Sequence, residues 1–336
     1  MPNPIGPQFP ERRQPSPAAP DVSVLIPVYN RAQLVVEAID SALAQTRPDL
    51  EVIVCDNAST DGTWEQVQAR ARLDPRIRAF RSVSNAGPVA NWRRCAAQAR
   101  GRLSALLFSD DRWLPGFLER AVPELEHPEV GLVFSSVAVE RAEGPPLLLY
   151  GGFPAGRRPG AEFVARHLGF EHGRDVPSSP GCALFRTGDL VAGLATPWDD
   201  PLGIGFERHG AGPDLWLYLA TAARYPSVVH LAEPLVVFRQ HAGNLTYSPG
   251  VALGYAAARQ RFVEVPGTSG LVPGDYRFAQ ATRLSRIDGG AAGEALLDRL
   301  DPRPSQVARR VHGLKRAAAA AWRRIRSRPV AKPGRP

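Results

Sequence analysis

Residues 21–30 read DVSVLIPVYN. The run from Asp21 to Val28 is short and almost continuously apolar, the pattern of a strand buried on both faces of a parallel sheet. Working outward, Leu34, Val35, Ala38, Ile39, Ala42 and Leu43 recur at helical spacing, so Arg31 to Gln45 is expected to be a helix. Leu50 to Cys55 (LEVIVC) predicts a second strand, closed by a polar turn from Asp56 to Gly62, and Thr63 to Arg72 a second helix. The same alternation continues: strand Ile77 to Ser82, helix Val89 to Arg100, strand Leu103 to Phe108, helix Pro115 to Leu125, strand Val130 to Val139. Strands alternating with helices predict an α/β fold with a mainly parallel sheet flanked by crossover helices.

Ligands of such sheets bind beyond the carboxyl ends of the strands. Polar side chains gather there: Asn30 after the first strand, Asp56 and Asn57 after the second, Asn85 after the third, Asp110 and Asp111 after the fourth. Glu140 to Asp175 is rich in Gly and Pro and reads as a long connection over that face. Further on, Pro180 to Arg186 predicts a strand, Gly212 to Arg224 a helix and Leu235 to Arg239 a short strand. The sequence beyond Thr246 is helical but less distinctive, from Val251 to Val263 and Tyr276 to Leu300. The chain accordingly divides into a disordered leader (1–20), an α/β domain (21–246), a helical extension (247–304) and a tail (305–336).

Composition narrows the partners. The formal charge of the 336 residues is +8, while residues 305–336 hold eight Arg, two Lys and no acid, which leaves −2 for residues 1–304. The body therefore offers no broad basic groove, and nucleic acid is not an expected partner. Within the tail, Val307, Val311, Leu314, Ala318, Trp322 and Ile325 share one helical face beside many Arg and Lys. Such a basic amphipathic helix over residues 305–328 suits an anionic membrane surface. Cys55, Cys95 and Cys182 have no paired spacing, so they read as core residues of a cytoplasmic protein rather than a disulfide or metal framework. No apolar run reaches membrane-spanning length.

The ordered segments VLIPVYNRAQLVVEAIDSALAQT, VIVCDNASTDGT, SNAGPVANWRRCAAQARG and LLFSDDRWLPGFLE resemble the family 2 glycosyltransferases of GT-A fold, closely over about residues 21–120 and less so to Thr246. The resemblance implies an inverting transfer of sugar from a nucleoside-diphosphate sugar to a hydroxyl-bearing acceptor: a glycan, a lipid-linked glycan or a small molecule. By that match Pro27, Val28, Tyr29 and Asn30 line the nucleotide pocket, and Asn85 and Asp110 hold the nucleotide. Asp56 takes the family's base-binding position; an ionised carboxylate only accepts hydrogen bonds, which favours a uridine or thymidine nucleotide. Asp111 matches the carboxylate that holds Mn²⁺ or Mg²⁺, hard ions that prefer oxygen ligands. His241, in FRQHAGNLT, matches a residue near the metal or diphosphate, with Arg239 a second phosphate contact. Asp214, at the start of an apolar helix, matches the general base. Trp198, Phe206 and Trp216 are candidates to stack on sugar rings.

The chain departs from the family at Ser109, where the metal motif has Asp, at Arg112, where many members have a further acid, and at Pro213, where the base has a Glu neighbour. The departures at Ser109 and Pro213 keep a catalytically inactive sugar-nucleotide-binding protein as an alternative. A nucleotidyltransferase is the second alternative, although PVYNRAQ lacks the Gly-rich loop expected of one. A dinucleotide oxidoreductase is disfavoured because no G-x-G-x-x-G follows the first strand.

Overall fold

A computed structural model describes residues 19–169, 175–248, 250–284, 287 and 290–300. The expected leader, but for its last two residues, and the tail lie outside the described residues.

The strands are β1 (Val22–Val28), β2 (Leu50–Asp56), β3 (Ile77–Arg81), β4 (Leu103–Leu106), β5 (Arg112–Trp113), β6 (Val130–Glu140), β7 (Leu147–Leu149), β8 (Gly156–Pro159), β9 (Ala183–Arg186) and β10 (Ser227–Arg239). The helices are α1 (Leu34–Leu43), α2 (Thr63–Leu73), α3 (Pro88–Gln98), α4 (Phe117–Ala121), α5 (Gly160–Leu168), α6 (Thr187–Ala195), α7 (Phe206–His209), α8 (Pro213–Arg224), α9 (Val251–Glu264), α10 (Tyr276–Leu284) and α11 (Gly290–Leu300). The strands form one sheet in the order β3-β2-β1-β4-β9-β6-β10-β5, with β7 on β6 and β8 on β10.

The sheet has two halves. From β3 to β4 it is parallel, with right-handed crossover helices expected for such units. Every residue of β1 and β2 is buried, as their unbroken apolar runs require. Beyond β4 the sheet is mixed: β9 runs antiparallel to β4 and β6, while β6 and β10 are parallel. The segment read as an irregular connection, Glu140 to Asp175, instead holds β7, β8 and α5. Its Gly and Pro residues mark turns between short elements. Likewise, β10 runs for 13 residues where only its last five gave a strand signal. Pro234 and exposed residues at its centre interrupt the pattern, and register shifts against β6 fall there.

Helix α9, from the extension, packs on α8, and α10 and α11 follow it. Among the described residues no helix is long and apolar enough to cross a membrane.

Candidate functional site

Strand β1 ends in a fixed loop. Pro27 and Val28 are buried and present only backbone, with Val28 O accepting from Asn57 N–H at 2.9 Å. Tyr29 follows and is 43 % exposed, the first side chain of the run free to meet a ligand. Asn30 turns the chain with φ +50°, a conformation Asn tolerates better than most residues. Its Oδ1 accepts from Thr60 N–H at 2.9 Å and its N–H donates to Ser59 Oγ at 2.9 Å. Asn30 thus joins the loops after β1 and β2.

Asp56, at the end of β2, is fully buried. Its carboxylate accepts from Ser59 N–H at 3.2 Å and pairs with Arg81 Nε at 3.2 Å. Arg81 ends β3, lies over Trp64 and was not singled out by the sequence. Asn57 Nδ2 donates to Asn85 Oδ1 at 2.7 Å, bringing the third strand end into the same network. Asn91 is buried and donates to Cys55 O at 2.8 Å, so it supports the neighbouring chain.

The loop after β4 carries Asp110 and Asp111. Asp111 is buried, and Oδ1 accepts from Arg239 N–H at 3.0 Å, which ties the loop to the end of β10. Burial and the charge of Asp110 push its carboxyl well above the usual range. Asp110 Oδ2 lies 3.0 Å from His241 Nε2 and 3.9 Å from Arg31 Nε. Gly243 N–H donates to His241 Nδ1 at 3.1 Å, so the ring proton sits on Nε2 and points at Asp110. As folded, His241 is therefore the partner of Asp110. Among the described residues no group of three or more His, Cys, Asp or Glu is placed to hold a metal ion. The Asp pair nonetheless fits a hard divalent cation: two adjacent oxygen donors, one of them buried and disfavoured as a free anion. The remaining ligands would come from a bound diphosphate.

Arg31 was missed by the sequence reading, although it directly follows PVYN. It donates to Asn30 O at 3.0 Å and Gly243 O at 2.7 Å, pinning the β1 loop to the loop after β10. Arg239 is committed elsewhere: its guanidinium pairs with Glu37 at 2.5 Å and Glu140 at 3.7 Å. Arg112 likewise pairs with Glu140, at 2.7 Å.

Asp214 sits in the first turn of α8 and is buried. Pro213 is the first helical residue, a position that suits Pro because its N–H would be unsatisfied anyway. Oδ1 accepts from Gly212 N–H at 2.9 Å and Leu215 N–H at 2.6 Å, and Oδ2 accepts from Tyr255 Oη at 2.9 Å. Burial outweighs these bonds and raises the carboxyl to about 7. The approach to α8 depends on glycine: Gly210 has φ +76°, and a Cβ there would meet the Trp92 ring at 2.1 Å.

Tyr150 lies within range of both acidic charges. It has φ +66°, a strained conformation for an aromatic residue, and its phenol is near enough to Asp111 and Asp214 to be pushed up by both charges, after burial and Cys182. Strain of this kind concentrates at functional sites. Neither Tyr150 nor Tyr255 carried a motif: one lies in the segment read as a connection and the other in the less distinctive helical sequence beyond Thr246.

The aromatic candidates do not form an open platform. Trp198 packs on Phe206 at 4.8 Å and against Trp216 at 6.1 Å, and Arg261 stacks on both indoles.

Residues 23–186 match the family described as Glycosyl transferase family 2. The UDP-Glc:alpha-D-GlcNAc-diphosphoundecaprenol beta-1,3-glucosyltransferase WfaP of Escherichia coli is 33 % identical over 121 residues, covering 36 % of this chain and 47 % of that protein. The chain spans about half the length of the curated relatives it matches or less. Staphylococcus aureus TarS 1–349 in complex with UDP-GlcNAc aligns with a TM-score of 0.55 at 16 % identity, covering 83 % of each chain. The mannosyltransferase PcManGT of Pyrobaculum calidifontis, in complex with GDP-Man and Mn²⁺, aligns with a TM-score of 0.51 at 20 % identity, covering 93 % of this chain and 84 % of that one. At these identities the structural likenesses establish the GT-A fold.

Proposed function

We propose that this chain, which through residues 23–186 belongs to glycosyl transferase family 2, moves a sugar from a nucleoside-diphosphate sugar to a hydroxyl acceptor in the synthesis of a cell-surface glycan. One observation supports the reading: the charges of Asp111, suited to a cation, and of Asp214, suited to a base, both reach the Tyr150 phenol. Transfer is a direct displacement with inversion. Asp214 takes the acceptor's hydroxyl proton as its oxygen attacks the anomeric carbon, and a carboxyl near 7 is matched to that task at neutral pH. Asp111, with Asp110, holds Mn²⁺ or Mg²⁺; the ion supplies charge neutralisation of the departing diphosphate.

Tyr29, Asn30 and Asn85 line the nucleotide, and Asp56 accepts from the base N–H as Arg81 moves aside. That acceptor favours UDP or dTDP sugars. The UDP-Glc named for WfaP and the UDP-GlcNAc bound to TarS support uridine, while the GDP-Man bound to PcManGT is the competing case. The diphosphoundecaprenol in the name of WfaP supports a lipid-linked acceptor, and residues 305–328 would then hold the enzyme at an anionic membrane surface on its cytoplasmic side. A thermal-shift screen of nucleoside diphosphates with and without Mn²⁺ tests the reading, because ligands of the folded state raise Tm. UDP or dTDP with Mn²⁺ raises Tm most; no shift with any nucleoside diphosphate overturns it.

A further inference from the structure

One turn along α9 from Tyr255 the structure holds a cluster of basic side chains that the proposed transfer does not use. Arg259 is 8 % exposed, and its one hydrogen bond among the described residues runs from Nε–H to His167 O, at 2.9 Å. Arg283, from α10, donates through Nη1 to Leu168 O at 2.9 Å and through Nη2 to Gly169 O. His167, 1 % exposed, has a buried Nε2 with no hydrogen-bond partner, and both arginines lie close enough to depress its basicity after burial.

Part of this arrangement is structural. The two guanidiniums satisfy the last carbonyls of α5, where cations are favoured by the helix dipole. Capping uses one of Arg259's five N–H donors and leaves both of its terminal nitrogens without a hydrogen-bond partner among the described residues. It also leaves His167 Nε2 orphaned. Burying two guanidiniums side by side is costly unless an anion accompanies them. Asp275 acts on Arg283, and Asp214, which Tyr255 links to α9, is already held by three donors. Arg259 is held down to about 9 by burial and by Arg283, the signature of a cation short of negative charge.

We propose that His167, Arg259 and Arg283 form a binding site for a phosphate-class oxyanion carried by the acceptor substrate. The forked guanidinium geometry matches phosphate oxygens. Residues four apart on a helix are neighbours, so an anion on Arg259 lies one turn from Tyr255 and hence beside the base. Half-buried Arg283 forms the opening. The site selects an acceptor by its phosphate and orients its hydroxyl toward Asp214. The assignment rests on the glycosyltransferase reading for the word acceptor, but the anion site itself does not.

The test uses the full chain in EDTA, where metal-dependent binding of phosphate at Asp110 and Asp111 is silenced. Tm is followed against inorganic phosphate and against a hexose 1-phosphate, for wild type, Asp111→Asn, Arg283→Gln and Arg259→Met. Wild type and Asp111→Asn should shift alike, with the hexose 1-phosphate the stronger ligand. Arg283→Gln, at the partly open edge, should fold and bind at least tenfold more weakly, and Arg259→Met should not respond. Equal response of wild type and Arg283→Gln overturns the site. A hexose 1-phosphate no better than inorganic phosphate overturns its assignment to the acceptor. Failure of the donor reading would show separately, as loss of the UDP response with Mn²⁺.

Discussion

Tyr255 Oη donates to Asp214 Oδ2 at 2.9 Å, joining the helical extension to the carboxylate at the head of α8. The bond favours the ionised form of Asp214, against the burial that raises its carboxyl to about 7. A hydrogen bond to a charged group is worth about 1.5–3 kcal/mol, so removing it from the anion alone moves the carboxyl up by about one to two pH units. Tyr255→Phe should therefore shift the acid limb of the kcat/KM profile toward alkaline pH, with activity partly regained at high pH. An unshifted limb with lowered activity throughout would assign Tyr255 to packing instead.

Asp214→Asn should leave donor binding intact and lower turnover about 10²–10⁴-fold, the usual contribution of a positioned base. Its effect on stability has the opposite sense. The folded protein holds the Asp214 proton up to about pH 7 and the unfolded chain only to the ordinary carboxyl value of 3.8, so the folded state binds more protons between those values. Stability from this group is full below 3.8 and is lost as pH rises toward 7. Asn, which cannot ionise, can keep both backbone bonds through Oδ1 and donate from Nδ2 to Tyr255 Oη, so it should match wild type in acid and exceed its Tm at pH 8. Lower Tm than wild type at pH 8 would contradict the buried-anion account.

Asp111→Asn tests the cation. The raised carboxyl of Asp111 means that free ionisation is unfavourable, and a bound divalent ion relieves it. Mn²⁺ with UDP should raise the Tm of wild type more at pH 8 than at pH 6, because the ion competes with the proton. The variant should lose most of that shift. An equal Mn²⁺ response would move the ion to other ligands.

The basic tail calls for a binding assay. Full chain and a chain ending at residue 304 are compared on liposomes with and without anionic lipid. The full chain should bind anionic vesicles and release them as salt rises, since the charge excess lies wholly in residues 305–336. Equal binding of both chains would exclude the tail as the anchor.

The parallel half of the sheet was legible because its strands are buried on both faces and announce themselves as apolar runs, as VSVLIPV and LEVIVC do. The strand-end residues Asn30, Asp56, Asn57, Asn85 and Asp110 were legible for the same reason, and the structure joins Asn30 to the β2 loop and Asn57 to Asn85. The mixed half was not. β7 and β8 are short and mostly exposed, so they lack the apolar period that marks a strand. Tyr255 and Tyr150 escaped because their roles are tertiary: Tyr255 bonds Asp214 from a helix with no motif, and Tyr150 comes within range of its charge from a segment read as a connection. Pairings such as Arg239 with Glu37 and His241 with Asp110 depend on β10 returning beside α1 and the β4 loop, which no spacing in sequence announces. Asp214 stands out in the sequence as a carboxylate at a helix start, but its covering by Tyr255 and two backbone donors, and with it the raised carboxyl, is visible only in the fold.

The central claim is that Asp111 and Asp214 serve one sugar transfer. Release of nucleoside diphosphate from a panel of sugar nucleotides, with Mn²⁺ present, measures it most directly in wild type, Asp111→Asn and Asp214→Asn. Wild type should release UDP or dTDP from at least one donor, faster when acceptor is present, while Asp214→Asn binds that donor without turning it over and Asp111→Asn does neither efficiently. No release from any sugar nucleotide, or equal release by all three proteins, would contradict it.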